Sequence, residues 1–272
     1  MTFAEARRSS SEDRRISPVF WVLLAVLGTS GWAVWSGYGN DPGFGVFLFV
    51  ISGWMVSLCL HEYGHARTAL HGGDISIGAK GYLTLNPLKY TNVLFSFVLP
   101  VVFVIMGGIG LPGGAVYIER HRIKGRLRHS LISAAGPLVN VLFAAVLLTA
   151  VGAGWFESPQ DRIDFEGREL PYSALSAALA YLGMFQVSAA LLNLLPVPGL
   201  DGYGILEPWL SPKARRSVEP FAPYGMLAVF ALLWQPEVNR RFFDLVYGAT
   251  DLFGVDRGYL FLGDYLFRFW NH

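Results

Sequence analysis

The chain has 272 residues, 53% of them hydrophobic and only 15% charged, where ordinary soluble domains carry about 25% charged residues. This composition and a mean hydropathy of +0.42 exclude an ordinary soluble domain and describe an all-α, multi-span membrane protein. A net charge of +1 gives no basis for nucleic-acid binding, and the single cysteine, Cys59, excludes an internal disulfide or a cysteine-rich metal cluster.

Residues 1–17 are polar and carry Arg7, Arg8, Arg14 and Arg15, ahead of an apolar run from Pro18 to Tyr38. The run is long for a signal peptide and lacks a clear small-residue cleavage site. It reads as a retained first span, with 1–17 as a cytoplasmic tail. Asn40-Asp41-Pro42-Gly43 is a turn. The second span, about 44–70, then runs inward and carries His61-Glu62-Tyr63-Gly64-His65 near its cytoplasmic end, with Gly72-Gly73 as its stop. On a helix His61 and His65 share one face, where two imidazoles can hold one zinc ion. Glu62 sits beside them, placed to take a proton from water at that ion. Cys59 lies about 200° round the helix from His61 and reads as a small core residue.

The stretch GYLTLNPLKYTN (81–92) sets Tyr82, Thr84 and Asn86 against Leu83 and Leu85, as a short strand or irregular loop. Residues 93–118 are apolar but interrupted by Pro100, Gly107-Gly108, Gly110 and Leu111-Pro112-Gly113-Gly114. After them come Arg120, Arg122, Lys124, Arg126 and Arg128. One simple crossing would put that basic loop outside, against the positive-inside rule, so a re-entrant or hairpin element is expected here. Further spans are read at about 130–155 and 174–198, separated by an external loop from Glu157 to Tyr172. Lys213, Arg215 and Arg216 return to the cytoplasmic side. A last short span is expected at about 221–235, and the aromatic-rich 242–272 as an interfacial tail. The count is five to six transmembrane helices plus a re-entrant or β-like element. Residues 18–241 form one domain with its core at 44–206 and the site inside the bundle.

Three protein ligands are usual for catalytic zinc. His71 has the spacing of a third histidine in HExxHxxGxxH, but Thr68 stands where that pattern needs glycine. On a continuing helix His71 lies about 15 Å along from His61. Asp201 is the better third ligand: it follows Pro196, Pro198 and Gly199, where the helix has broken, and Gly202 leaves space beside it. The charge-based topology brings it to the same face as HEYGH.

HEYGH, then Asn193-Leu194-Leu195-Pro196 and Leu200-Asp201-Gly202, resembles the site-2 protease family of intramembrane zinc metalloproteases. Gly136-Pro137-Leu138-Val139-Asn140 and the GYLTLNP stretch resemble its bacterial members; the likeness covers about 44–206. The resemblance implies one zinc per chain held by His61, His65 and Asp201, with Glu62 as general base and Asn193 and Asn140 as polar residues of the active-site cavity. Asn140 also reads as a helix-packing amide. Where many members carry a second glycine after LDG this chain has Tyr203, which bears on the helix start beside the metal. No polar stretch is long enough for the PDZ or CBS domains of some members.

The expected function is regulated intramembrane proteolysis at the cell membrane: cutting transmembrane substrates near the cytoplasmic face. Such a substrate must unwind locally, and GYLTLNP could offer an edge for it to pair with. The competing reading is a non-proteolytic zinc protein, a scaffold or transporter. A transporter should show ionisable groups through the bilayer, which 18–38 and 141–155 lack, and zinc binding alone does not require Glu62.

Overall fold

A computed structural model describes residues 15–39, 41–89, 116–157, 163–165, 168–170 and 172–271. Helix α1 (Pro18–Trp35) begins where the Ser17 hydroxyl accepts the Val19 amide at 3.2 Å, with Pro18 in the first turn. Helix α2 (Gly43–Gly72) runs unbroken for 30 residues, about 45 Å. It stops at Gly73, whose φ of 118° is the left-handed conformation glycine adopts without strain. The helix therefore continues past HEYGH, and His71 is carried away from the site. Its Nδ1 pairs with the Arg67 carbonyl at 2.8 Å on an exposed face.

The chain then folds into a short helix, α3 (Ser76–Ala79), and 3-10 turns at Tyr82–Thr84 and Pro87–Lys89. GYLTLNP is thus an irregular loop and not a strand. Gly81 and Leu85 flank the first turn with φ of 71° and 57°, and left-handed residues at both ends break any extended period-two run. The loop is tied to α1 through the Ser17 amide, which donates to the Thr84 carbonyl at 2.8 Å. The re-entrant element expected over 93–118 lies outside the described residues except for its last three.

Helix α4 (Arg126–Gly152) follows, then a two-stranded antiparallel hairpin, β1 (Ile163–Phe165) and β2 (Arg168–Leu170), pairing Ile163 with Leu170 and Phe165 with Arg168. Helix α5 (Ala174–Asn193) is the centre of the molecule. The Ser173 hydroxyl caps it by accepting the Ser176 amide at 3.0 Å, and almost every side chain along it is buried. Leu182 and Phe185 of α5 pack with Trp54 and Met55 of α2 and Leu148 of α4.

Short helices α6 (Asp201–Leu206), α7 (Pro212–Val218) and α8 (Gly225–Leu233) precede α9 (Pro236–Asp251) and α10 (Arg257–Phe267). Leu262 and Phe267 of α10 are fully buried in the α5 core, so the segment read as interfacial has one face inside the bundle.

Helices α1, α2, α4 and α5 are long and apolar enough to cross a membrane, whose hydrocarbon core is about 30 Å thick. The span expected at 221–235 is α-helical only over the nine residues of α8, about 13 Å. Pro236 then starts α9, which turns by 95° from the 212–233 segment; counting that bent pair as one crossing gives five.

Candidate metal centre

The site lies where α2, α4 and α6 meet. One turn apart on α2, the rings of His61 and His65 bring their Nε2 atoms within 3.1 Å of each other. Asp201, the first residue of α6, places Oδ2 at 3.4 Å from His61 Nε2 and 3.3 Å from His65 Nε2. Asp201, distant in sequence from the two histidines, completes with them a group whose potential ligand atoms all lie within 4.8 Å of one another.

The other ring nitrogens fix the chemistry. His61 Nδ1 lies 2.7 Å from Asn140 Oδ1, and His65 Nδ1 lies 2.7 Å from the Ile132 carbonyl. Both partners are acceptors, so each Nδ1 carries the proton and each Nε2 presents a lone pair. Two lone pairs and a carboxylate oxygen facing one another in a buried space repel unless a cation sits among them. Two imidazoles and one carboxylate are a donor set suited to zinc.

Helix α4 shapes the far wall. A Cβ on Gly136 would lie 2.2 Å from His65 Nε2 and 2.5 Å from His61 Nε2, so only a residue without a side chain fits against the donor atoms. Pro137 cannot donate to the carbonyl four residues back, interrupting the helical ladder beside the Ile132 carbonyl that His65 uses. Asp201 is positioned by an equally close approach. A Cβ on Gly202 would meet the Leu194 carbonyl oxygen at 2.2 Å, so α6 starts directly against the NLLP segment.

Glu62 is 2% exposed, and its Oε2 is buried without a hydrogen-bond partner. It lines, with His61, His65, Asp201 and Asn193, a cavity of about 1010 Å³ whose lining also includes Tyr203, Glu207 and residues of α7. Asn193 is buried and lines this cavity. Asn140 does not; its amide oxygen is spent on His61, which joins it to the site behind the histidine. Gly136 is the residue for which the sequence reading had no role of its own. Its signal was a glycine immediately before a helix-interior proline.

Comparison with known proteins gives relatives over nearly the whole length. The chain is 44% identical over 267 residues to a protein of Mycolicibacterium smegmatis that carries the name zinc metalloprotease Rip2, covering 97% of this chain and 98% of the relative. It is 41% identical over 263 residues to a protein of the same name from Mycobacterium tuberculosis H37Rv, covering 96% of each. Zinc metalloprotease YwhC of Bacillus subtilis is 29% identical over 189 residues, which is 67% of this chain and 78% of that protein. No family model and no solved structure matches.

Proposed function

The chain belongs to the site-2 protease family of zinc metalloproteases, and from that premise we propose that it cuts transmembrane segments within the bilayer, near the cytoplasmic face, in regulated proteolysis. The observation that carries this reading is the convergence of His61, His65 and Asp201 beside Glu62, whose Oε2 has no hydrogen-bond partner. They meet inside a bundle of helices long enough to span a membrane.

His61, His65 and Asp201 would hold the zinc ion. When bound, the ion supplies Lewis acidity, making a water nucleophilic near neutral pH and polarising the scissile carbonyl. Glu62 takes the proton from the attacking water and returns it to the departing amine, and its buried, uncommitted oxygen leaves it available for that transfer. Asn140 holds His61 in the tautomer that leaves Nε2 for the metal. Asn193 offers an amide to the substrate backbone within the cavity. A membrane helix has its peptide groups bonded internally, so the substrate must unwind to reach Glu62. The 3-10 turn at Tyr82–Thr84 removes that loop as a pairing edge for the unwound segment.

The test joins metal content to cleavage. Detergent-purified wild-type protein should contain close to one zinc per chain and cut a single-span model substrate. Asp201→Ala should lose zinc and activity together, and Glu62→Ala should keep zinc and lose activity. Zinc that is indifferent to Asp201 would sink the ligand assignment. Cleavage that persists in Glu62→Ala would remove the general base.

A further inference from the structure

The charged side chains around the mouth of the metal-site cavity are not all accounted for. The lining beyond the donors includes Glu119, Arg120, Glu207, Arg215, Arg216 and Glu219. Arg120 is paired with Glu207. Glu119 is committed to Arg122 and to Lys80, and these hydrogen bonds hold its carboxyl down to about 2. Arg215 and Arg216, in the last turn of α7, have no ion pair among the described residues, and Arg215 Nε is buried without a hydrogen-bond acceptor. Two fixed positive charges and an unmet donor, with the Glu219 carboxylate on the same lining, therefore face the cavity that leads to His61, Glu62, His65 and Asp201.

We infer that Arg215 and Arg216 form a cationic rim that receives acidic side chains of the substrate, on the stretch flanking its membrane-spanning segment. The occupant is a peptide and not a lipid because the arginines line the same cavity as the catalytic groups. A chain held by its apolar span and threaded into that cavity must pass them. The guanidinium presents a planar fork that carboxylates match in pairs. A rim of this kind would select among membrane helices, whose spans otherwise look alike. The inference rests on the proteolytic reading above and adds the substrate's chemical class.

The test is a binding measurement on the full-length Glu62→Ala protein, which separates recognition from cutting. Two labelled synthetic peptides share one apolar span and differ only in a flank of four glutamates or four glutamines. The glutamate peptide should bind at least about threefold more tightly, and this preference should shrink as salt rises. Adding Arg215→Gln and Arg216→Gln should abolish the preference while leaving zinc content and glutamine-peptide affinity unchanged. Equal affinities for the two peptides, or a preference that survives the double substitution, would overturn the proposal. So would a double variant whose one defect is weaker association with nanodiscs of anionic lipid, since the arginines would then serve the membrane surface. Should the double variant lose zinc, Arg216→Gln alone, at an exposed position, provides the same comparison. Zinc binding is read separately in each variant, so failure of the rim and failure of the catalytic centre give different results.

Discussion

At the scale of single residues, the centre depends on two buried groups that do not line its cavity. Asn140 accepts the His61 Nδ1 proton at 2.7 Å. Removing such a partner typically costs 10–100-fold in metal affinity, because ring orientation and tautomer are no longer fixed. Asn140→Leu should therefore weaken zinc by about that factor in competition with a chelator, and Asn140→Asp, which keeps the acceptor, should weaken it less. Equal losses in both would mean that the amide only packs helices. Gly136 makes a steric demand. A methyl group 2.2 Å from His65 Nε2 and 2.5 Å from His61 Nε2 cannot coexist with the present rings. Gly136→Ala should lose zinc while far-UV circular dichroism stays helical. Retention of stoichiometric metal in that variant would show that α4 can retreat.

At the scale of elements, the same substitution should act in opposite directions at two glycines. Gly202 lies in the first turn of α6, and a Cβ there would press on the Leu194 and Leu195 carbonyl oxygens at 2.2 and 2.4 Å. Gly202→Ala must push α6, and Asp201 with it, away from the histidines; thermal stability and zinc content should fall together. Gly248 sits in α9 with nothing near its missing Cβ. Gly248→Ala should raise stability by about 0.5–1 kcal/mol through lower unfolded-state entropy and better helix propensity. A thermal melt of each decides the matter. This contrast also explains what the sequence could disclose. HEYGH was readable as a helix face because α2 has no proline along its length. Asp201 was readable because two prolines and a glycine precede it. The close approaches at Gly136 and Gly202 are contacts between segments distant in sequence, and no local pattern encodes which backbone will arrive there. GYLTLNP reads as either a strand or an irregular loop for a related reason: alternation suggests a strand, and the left-handed residues Gly81 and Leu85 make it the loop.

For the whole molecule, the question is which end faces the cytoplasm, and the bundle makes the answer measurable. Helices α1, α2, α4 and α5 alternate in direction, and the starts of α1 and α4 lie at the same end of the bundle as the end of α2. The Ser17 amide binds Thr84 just beyond α2, while Gly72 packs on Ile123 and Ile132 around the start of α4. Arg120, Arg122, Lys124, Arg126 and Arg128 cluster at that end, joined to α6 through the Arg120–Glu207 pair. At the opposite end Gly152, closing α4, packs against the Phe253 carbonyl, and neighbouring Leu252 is 84% exposed. The positive-inside rule predicts that the basic end faces the cytoplasm, and the metal centre lies nearer that end of α2. Cys59, the single native thiol, is buried, so the wild type provides a quiet background for introduced cysteines. In intact cells an impermeant maleimide should label Leu252→Cys and spare Ser217→Cys, an exposed position on α7. After permeabilisation both should react. The reverse pattern would turn the molecule over. The cationic rim and the site would then open to the outside, and the proposed substrates would have to be cut near their external ends.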